Sequence, residues 1–152
     1  VDFCGCWPMF FGRCHSKLDD KNRVKVPKKV LNQIARESTS TTLHITVGLD
    51  QCLFMFTDEG WQERKQRMKD IPMTKKARTF ERIFFGNAEE LVPDAMGRFV
   101  LPEHQREWID NAKEIVFIGV KNRIEIWSAA DWQRFSDDSE DDYESIAEDI
   151  LV

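Results

Sequence analysis

No stretch of this sequence approaches the roughly 18 consecutive apolar residues that a membrane-spanning helix needs. The first residues, VDFCGCWPMFFGR, lack the basic n-region and small-residue cleavage site of a secretory signal, so a cytoplasmic protein is expected. Catalytic signatures are missing too. His15, His44 and His104 are scattered, and there is no Ser/His/Asp order, Gly-rich phosphate loop or H-E-x-x-H helix. Carboxylates abound in the C-terminal tail, but a flexible acidic run does not hold a pair at catalytic distance. An enzyme is therefore not expected.

Paired cysteines are lacking as well. Cys4, Cys6 and Cys14 crowd the N-terminus and Cys52 stands alone in the run CLFMF, whereas a zinc site ordinarily needs two close pairs separated by a loop. Cys4, Cys6, Cys14 and His15 are suitable ligand types, but reduced thiols are the simpler reading. No metal and no cofactor are expected.

What is present is segregated charge and a repeat. The net charge of −5 argues at first against nucleic acid. Yet Arg13 to Arg36 carries eight Lys/Arg against Asp19 and Asp20, a local balance of +6, while Ser136 to Val152 holds eight Asp/Glu and no Lys or Arg. With a screening length of about 8 Å at physiological salt, a bound phosphate senses the nearby patch more than the distant tail. The 152 residues suffice for one domain or two small, intimately packed halves.

The chain contains itself twice. LDDKNRVKVPKKVL carries Asp19, Arg23 and Pro27, and VPDAMGRFVLPEHQ carries Asp94, Arg98 and Pro102, all at an offset of 75 residues. Gly48 and Trp61 match Gly119 and Trp132 at an offset of 71. The slippage fits a longer polar loop, ARESTSTT, in the first copy. In each copy a turn (DDKNR or DAMGR) leads into a short alternating segment, Val24–Val26 or Phe99–Leu101. A proline follows, placed to open a short helix because its missing N–H is not needed there. KKVLNQIA and EHQREWI read as those helices. The pairs TLHITV with CLFMF and EIVFIGV with RIEIW read as strands, joined at residues 48–51 and 119–122. Another helix is expected near each matched Trp, both of which read as packing anchors. Between the copies, MTKKARTFERIFF places Ala77, Phe80, Ile83 and Phe84 on one helical face with Thr74 as N-cap. The acidic tail either frays in solvent or forms a helix with a narrow stripe of Ile146, Ile150 and Leu151.

The segments MFFGRCHSKLDDKNRVKVP, GLDQCLFMFTDEGW, LVPDAMGRFVLP and GVKNRIEIWSAADW resemble the paired D-x3-R motifs and strands of the MraZ family, within the AbrB-like superfamily, from about Met9 to the last helix. The resemblance implies an α+β fold: two tandem double-split β-α-β units forming a pseudo-twofold, barrel-like β core with peripheral helices. It also implies rings of eight or more subunits, and direct-repeat DNA recognition in a cell-division and cell-wall operon, hence a nucleoid-associated location. The expected division is an extension (1–8), a first repeat (9–61), connecting helices (62–86), a second repeat (87–132) and an acidic helix or tail (133–152). Two departures stand out. Asn22 replaces the family's usual Gly before Arg23, a turn position Asn tolerates. Pro93 occupies a place where the family usually has an apolar strand residue.

The candidate DNA-binding residues are Lys21 and Arg23 at a groove, where Arg can read guanine O6 and N7. Arg13, Lys17, Lys25, Lys28 and Lys29 are cast as phosphate contacts. Arg98 is a weaker candidate, because Glu89, Glu90, Asp94 and Glu103 lie near it. Asp19 and Asp94 brace the turns or pair with the arginines, and Pro27 and Pro102 belong to the same structural motif. The residues alone leave another reading open: an Asp and an Arg four apart in both copies can simply be a salt-bridged turn. Two other functions also stay open. One is an oligomeric protein-interaction scaffold, which predicts no salt-dependent DNA affinity. The other is an antitoxin-like regulator that masks a toxin with its tail.

Overall fold

The computed structural model describes residues 9–152, so the extension 1–8, with Cys4 and Cys6, lies outside the described residues. The elements run β1 (Arg13–Lys17), β2 (Arg23–Lys25), α1 (Lys28–Glu37), β3 (Leu43–Val47), β4 (Leu53–Thr57), α2 (Asp58–Met68), α3 (Lys75–Gly86), β5 (Glu89–Leu91), β6 (Arg98–Val100), α4 (Glu103–Trp108), β7 (Glu114–Val120), β8 (Arg123–Ser128) and α5 (Ala129–Leu151). The class is α+β. Pro27 and Pro102 occupy the N-cap positions of α1 and α4, each with φ near −59°. Thr57, Thr74 and Ser128 cap α2, α3 and α5 by accepting the N–H of Gly60, Ala77 and Asp131.

Six strands form one sheet in the order β1-β7-β8-β4-β3-β5, and β2 pairs with β6 as a separate antiparallel ribbon. Exchanging each strand for its counterpart in the other copy reads the six-stranded order backwards, which places a pseudo-twofold between β4 and β8. The copies are interleaved. β1 pairs with β7, from Arg13↔Ile118 to Lys17↔Glu114, while β5 pairs with β3, from Leu43↔Leu91 to Ile45↔Glu89. Each copy thus lends its first strand to the other. β1 and β5 end the sheet as edge strands, so its pairing is open and the barrel-like closure implied by the resemblance goes beyond it.

Both faces of the sheet are covered, which explains why β3 and β4 read as nearly continuous apolar runs. Leu43, Ile45, Leu53, Met55, Ile115, Phe117, Ile124 and Ile126 face Val24, Val26, Phe99 and Leu101 of the ribbon segments, with Val30 and Ile34 of α1 in the same core. On the other face Phe56, Trp61 and Phe84 form a second cluster under α2 and α3. Trp61 stacks on His44 with ring centroids 5.5 Å apart and on Phe84 at 5.7 Å, and His44 Nε2 contacts the Asp58 carboxylate. The matched Trp132 packs against Trp127 and Phe135. Trp61→Ala is expected to cost about 3–5 kcal/mol of stability, as large-to-small aromatic core changes do. Denaturant unfolding would measure it, and a loss below about 1 kcal/mol would remove Trp61 from the core.

Three local expectations need correction or gain a cause. The first hairpin turns at Asp50-Gln51, both at positive φ, with Cys52 N–H donating to Leu49 O at 3.2 Å. In the second, Gly119 and Val120 lie inside β7, paired with Ile124 and Arg123, so Lys121-Asn122 alone makes the connection. The matched glycines are there for close approach: a Cβ at Gly119 would meet Phe11 N at 2.3 Å, and one at Gly48 the Phe54 ring at 2.5 Å. Pro93 also has a consequence. Its counterpart Leu18 donates its N–H to Lys113 O at 2.9 Å, which extends the pairing of the first copy. Proline has no N–H to give, and β5 stops at Leu91.

Candidate nucleic-acid interface

The D-x3-R turns are built alike in the two copies. Asp19 Oδ1 accepts the backbone N–H groups of Lys21 and Arg23, both at 2.9 Å, and Asp94 Oδ1 accepts those of Met96 and Arg98 at the same distances. The second carboxylate oxygen takes the guanidinium Nε, at 2.7 Å from Arg23 and 3.1 Å from Arg98. Asn22 sits at φ 61° where Gly97 sits at φ 76°, so Asn serves in the first copy the left-handed position that Gly fills in the second. Each turn is therefore a salt-bridged structural device, and Asp19 and Asp94 both brace it and pair with the arginine. The bridge uses only Nε; among the described residues the Nη atoms of Arg23 and Arg98 make no hydrogen bond.

Acceptance of the Arg23 backbone N–H, reinforced by the side-chain bond and the Lys21 N–H, holds the Asp19 carboxyl below its ordinary 3.8. The same set from Arg98 and Met96 lowers Asp94. A depressed carboxylate contributes stability that is present above the unfolded value and is lost as pH falls through the folded one. At neutral pH both turns are fully braced.

The turns deliver their arginines to one surface. In the ribbon Arg23 opposes Val100, Val24 opposes Phe99 and Lys25 opposes Arg98. Val24 and Phe99 point into the core, so period-2 alternation sends Arg23, Lys25, Arg98 and Val100 to the outer face. Leu101 N–H donates to Asn22 O and Val26 N–H to Gly97 O, which makes Lys25/Arg98 a non-hydrogen-bonded pair, the closer of the two kinds. Like charges directly opposite one another destabilise a sheet. Three cations thus share a narrow, outward strip against that cost. Lys21 is exposed at the turn beside them.

The remaining candidates surround this strip unevenly. Arg13 and Lys17 are exposed on the edge strand β1, which touches the ribbon where Ser16 Oγ donates to Lys25 O at 2.7 Å. Lys28 and Lys29 occupy the first turn of α1, where the helix dipole disfavours cations and favours an anion. Lys29 Nζ lies 5.9 Å from the Phe11 ring, and with Lys28, Asn32 and Arg36 it borders a shallow concavity. The equivalent turn of α4 has Glu103 instead. Sequence reasoning set Arg98 apart because of its acidic neighbours, and missed Val100 altogether. The cross-strand register that joins them to Arg23 and Lys25 is a long-range fact, and the only local signal was the shared alternation of RVKV and RFVL.

Of the metal-ligand types considered, Cys4 and Cys6 lie outside the described residues. Cys14 and His15 are successive strand residues, Cys14 packed toward the core and His15 exposed, and the described residues hold no cluster of metal-ligating groups. Burial pushes the Cys52 thiol up. No helix among the described residues is long and apolar enough to cross a membrane.

Fold and surface together define an internally duplicated α+β protein that presents a cationic antiparallel ribbon on paired, carboxylate-braced turns. A family model described as "MraZ protein, putative antitoxin-like" matches residues 9–83 and again 84–151, and the chain belongs to the MraZ family.

Proposed function

We propose that this chain is a sequence-specific DNA-binding transcriptional regulator that reads DNA with the outer face of the β2–β6 ribbon. The observation that carries the reading is the placement of Arg23, Lys25 and Arg98 side by side on that face, with like charges opposed across the strands. A two-stranded antiparallel ribbon fits the major groove of B-form DNA. Arg23 and Arg98, each held at Nε, keep the Nη edge for guanine O6 and N7, with Lys21 assisting. Val100 is 53% exposed on the same face and offers an apolar contact to a thymine methyl. Arg13, Lys17, Lys25, Lys28 and Lys29 contact phosphates and set the register.

The protein works as a homo-oligomer, a ring of eight or more subunits, on direct repeats that control a cell-division and cell-wall operon in the nucleoid. Membership of a regulator-type family supports this reading and gives no support to an enzymatic one. Selection from random duplexes followed by sequencing tests it: enrichment of short direct repeats is expected, and no enrichment above background would overturn it. The family description and the exposed acidic α5 favour a second reading, an antitoxin-like regulator, which a small toxin gene beside this one would support.

Affinity is expected to fall steeply with salt, because each phosphate contact releases counterions with a slope of about −0.9 in log K against log salt. Titrations at several salt concentrations measure the slope. A slope near zero would rule out an interface anchored on phosphates.

A further inference from the structure

The two turns are braced alike and carry different side chains. At the 75-residue offset Asp, Arg and Pro are kept, and the lysines around them are not. Lys17, Lys21 and Lys25 answer to Val92, Met96 and Val100, and Lys28 answers to Glu103. The three apolar replacements stay in solvent, Val92 at 60%, Met96 at 58% and Val100 at 53% exposure. Burial on folding accounts for none of them.

The backbone gives the side chain of Met96 no structural task. Its N–H donates to Asp94 Oδ1 at 2.9 Å, as the Lys21 N–H does to Asp19 Oδ1, and the turn is complete whatever the side chain. Beyond the turns, Leu101 N–H donates to Asn22 O at 3.0 Å and Val26 N–H to Gly97 O at 2.9 Å, so the ribbon is extended equally at both ends. Val24 and Phe99 are counterparts at the 75-residue offset and pair with each other, which puts the pseudo-twofold of the ribbon through them. The ends it relates are alike in backbone and unlike in chemistry. One has Lys21, Arg23 and, across the strand, Val100; the other has Met96, Arg98 and, across the strand, Lys25.

We propose that Met96 is a specificity-determining residue that reads a thymine methyl, so that the two ends of the ribbon recognise different bases and the site of each subunit has a direction. The inference rests on the DNA reading above and gives the second turn its base chemistry. A ribbon with equal ends can lie on the duplex in either of two orientations and favours a palindromic element. Here the orientations differ. Lysine donates to guanine O6 and N7, whereas the methionine thioether has no donor. The apolar group that the major groove offers is the C5-methyl of thymine, and an unbranched, polarizable side chain adapts to it. Reversal is penalised at both ends. Lysine over a methyl loses hydration without a partner, and methionine over guanine leaves two acceptors unmet.

Removing single methyls tests this. The probe is the duplex selected by the parent protein, with each thymine in turn replaced by deoxyuridine, which keeps the base pairing and lacks only the methyl. One position is expected at which the parent loses about 4-fold in affinity, the contribution of one buried methyl. Met96→Ala is expected to be indifferent there, while Val100→Ala still responds. Selection from random duplexes with Met96→Lys is expected to exchange that thymine for guanine and to bring the element closer to a palindrome. Both Met96 variants are expected to keep the circular dichroism spectrum of the parent, because the brace at position 96 is a backbone bond. A parent that selects no sequence would overturn the DNA reading and this inference with it. A parent that selects a sequence but ignores every methyl, shares its methyl response with Met96→Ala, or selects the same element as Met96→Lys would overturn the role of Met96 and leave the DNA reading standing.

Discussion

Arg23→Ala is expected to keep the circular dichroism spectrum and assembly size of the parent while sequence-specific DNA binding is lost. A bidentate arginine–guanine pair is worth about 1–3 kcal/mol of discrimination, or about 5- to 150-fold per engaged subunit. Several engaged subunits compound that loss until specific and non-specific duplexes bind alike. The fold survives because the turn does not depend on the guanidinium. Asp19 Oδ1 still accepts the backbone N–H groups of residues 21 and 23, and Asn22 still supplies the left-handed position. Asp19→Ala is the informative contrast: it removes the brace from beneath both Lys21 and Arg23 and is expected to weaken turn and binding together. Arg98→Ala is expected to cost less, since the surface around the second turn lacks the cations of β1 and α1. Titration on the selected site and on a scrambled duplex checks all three. Unchanged discrimination in a folded Arg23→Ala protein would reduce the D-x3-R motif to its structural role.

The braced turns show where the sequence was legible. An Asp and an Arg four residues apart, repeated at a fixed offset, state a local fact, and the local geometry follows: two backbone N–H groups to one carboxylate oxygen and Nε to the other. Pro27, Pro102, Thr74 and the strands around Met55 and Phe117 were readable for the same reason, because caps and periodicity act over a few residues. The unread part is long-range. RCHSK and EEL carry too little apolar alternation to announce strands, and nothing local says that β1 will join β7 while β5 joins β3. The ribbon depends on the same exchange of partners between copies. Arg23 and Val100 face outward together only once β2 and β6 are paired, so Arg98 had to be judged by its acidic sequence neighbours rather than by Lys25 across the strand.

Assembly and recognition then constrain each other. Single modules bind DNA non-specifically with only about 10⁻⁴–10⁻⁶ M affinity at physiological salt, so specific regulation needs several ribbons on one duplex. Each contact after the first is intramolecular, which can raise avidity by roughly 10²–10⁴. Subunits of the proposed ring would carry their ribbons in the same sense around it, whereas an isolated twofold dimer would oppose them and call for a palindrome. The expected site is therefore a set of short direct repeats about 10 base pairs apart, one helical turn, so that all lie on one side of the duplex. Inserting half a turn between two repeats, with every contacted base unchanged, rotates one of them to the far side of the DNA. A ribbon fixed in a ring cannot follow it. Affinity is then expected to fall by most of the avidity factor, roughly 10²–10⁴, and an insertion of a full turn is expected to restore part of the loss. The comparison separates assembly from reading: Arg23→Ala weakens discrimination at every spacing, while the half-turn insertion leaves each repeat fully readable and removes only simultaneous engagement. Full-strength binding to the half-turn duplex would mean that one ribbon suffices, or that the linkage between subunits is loose enough to track the helix.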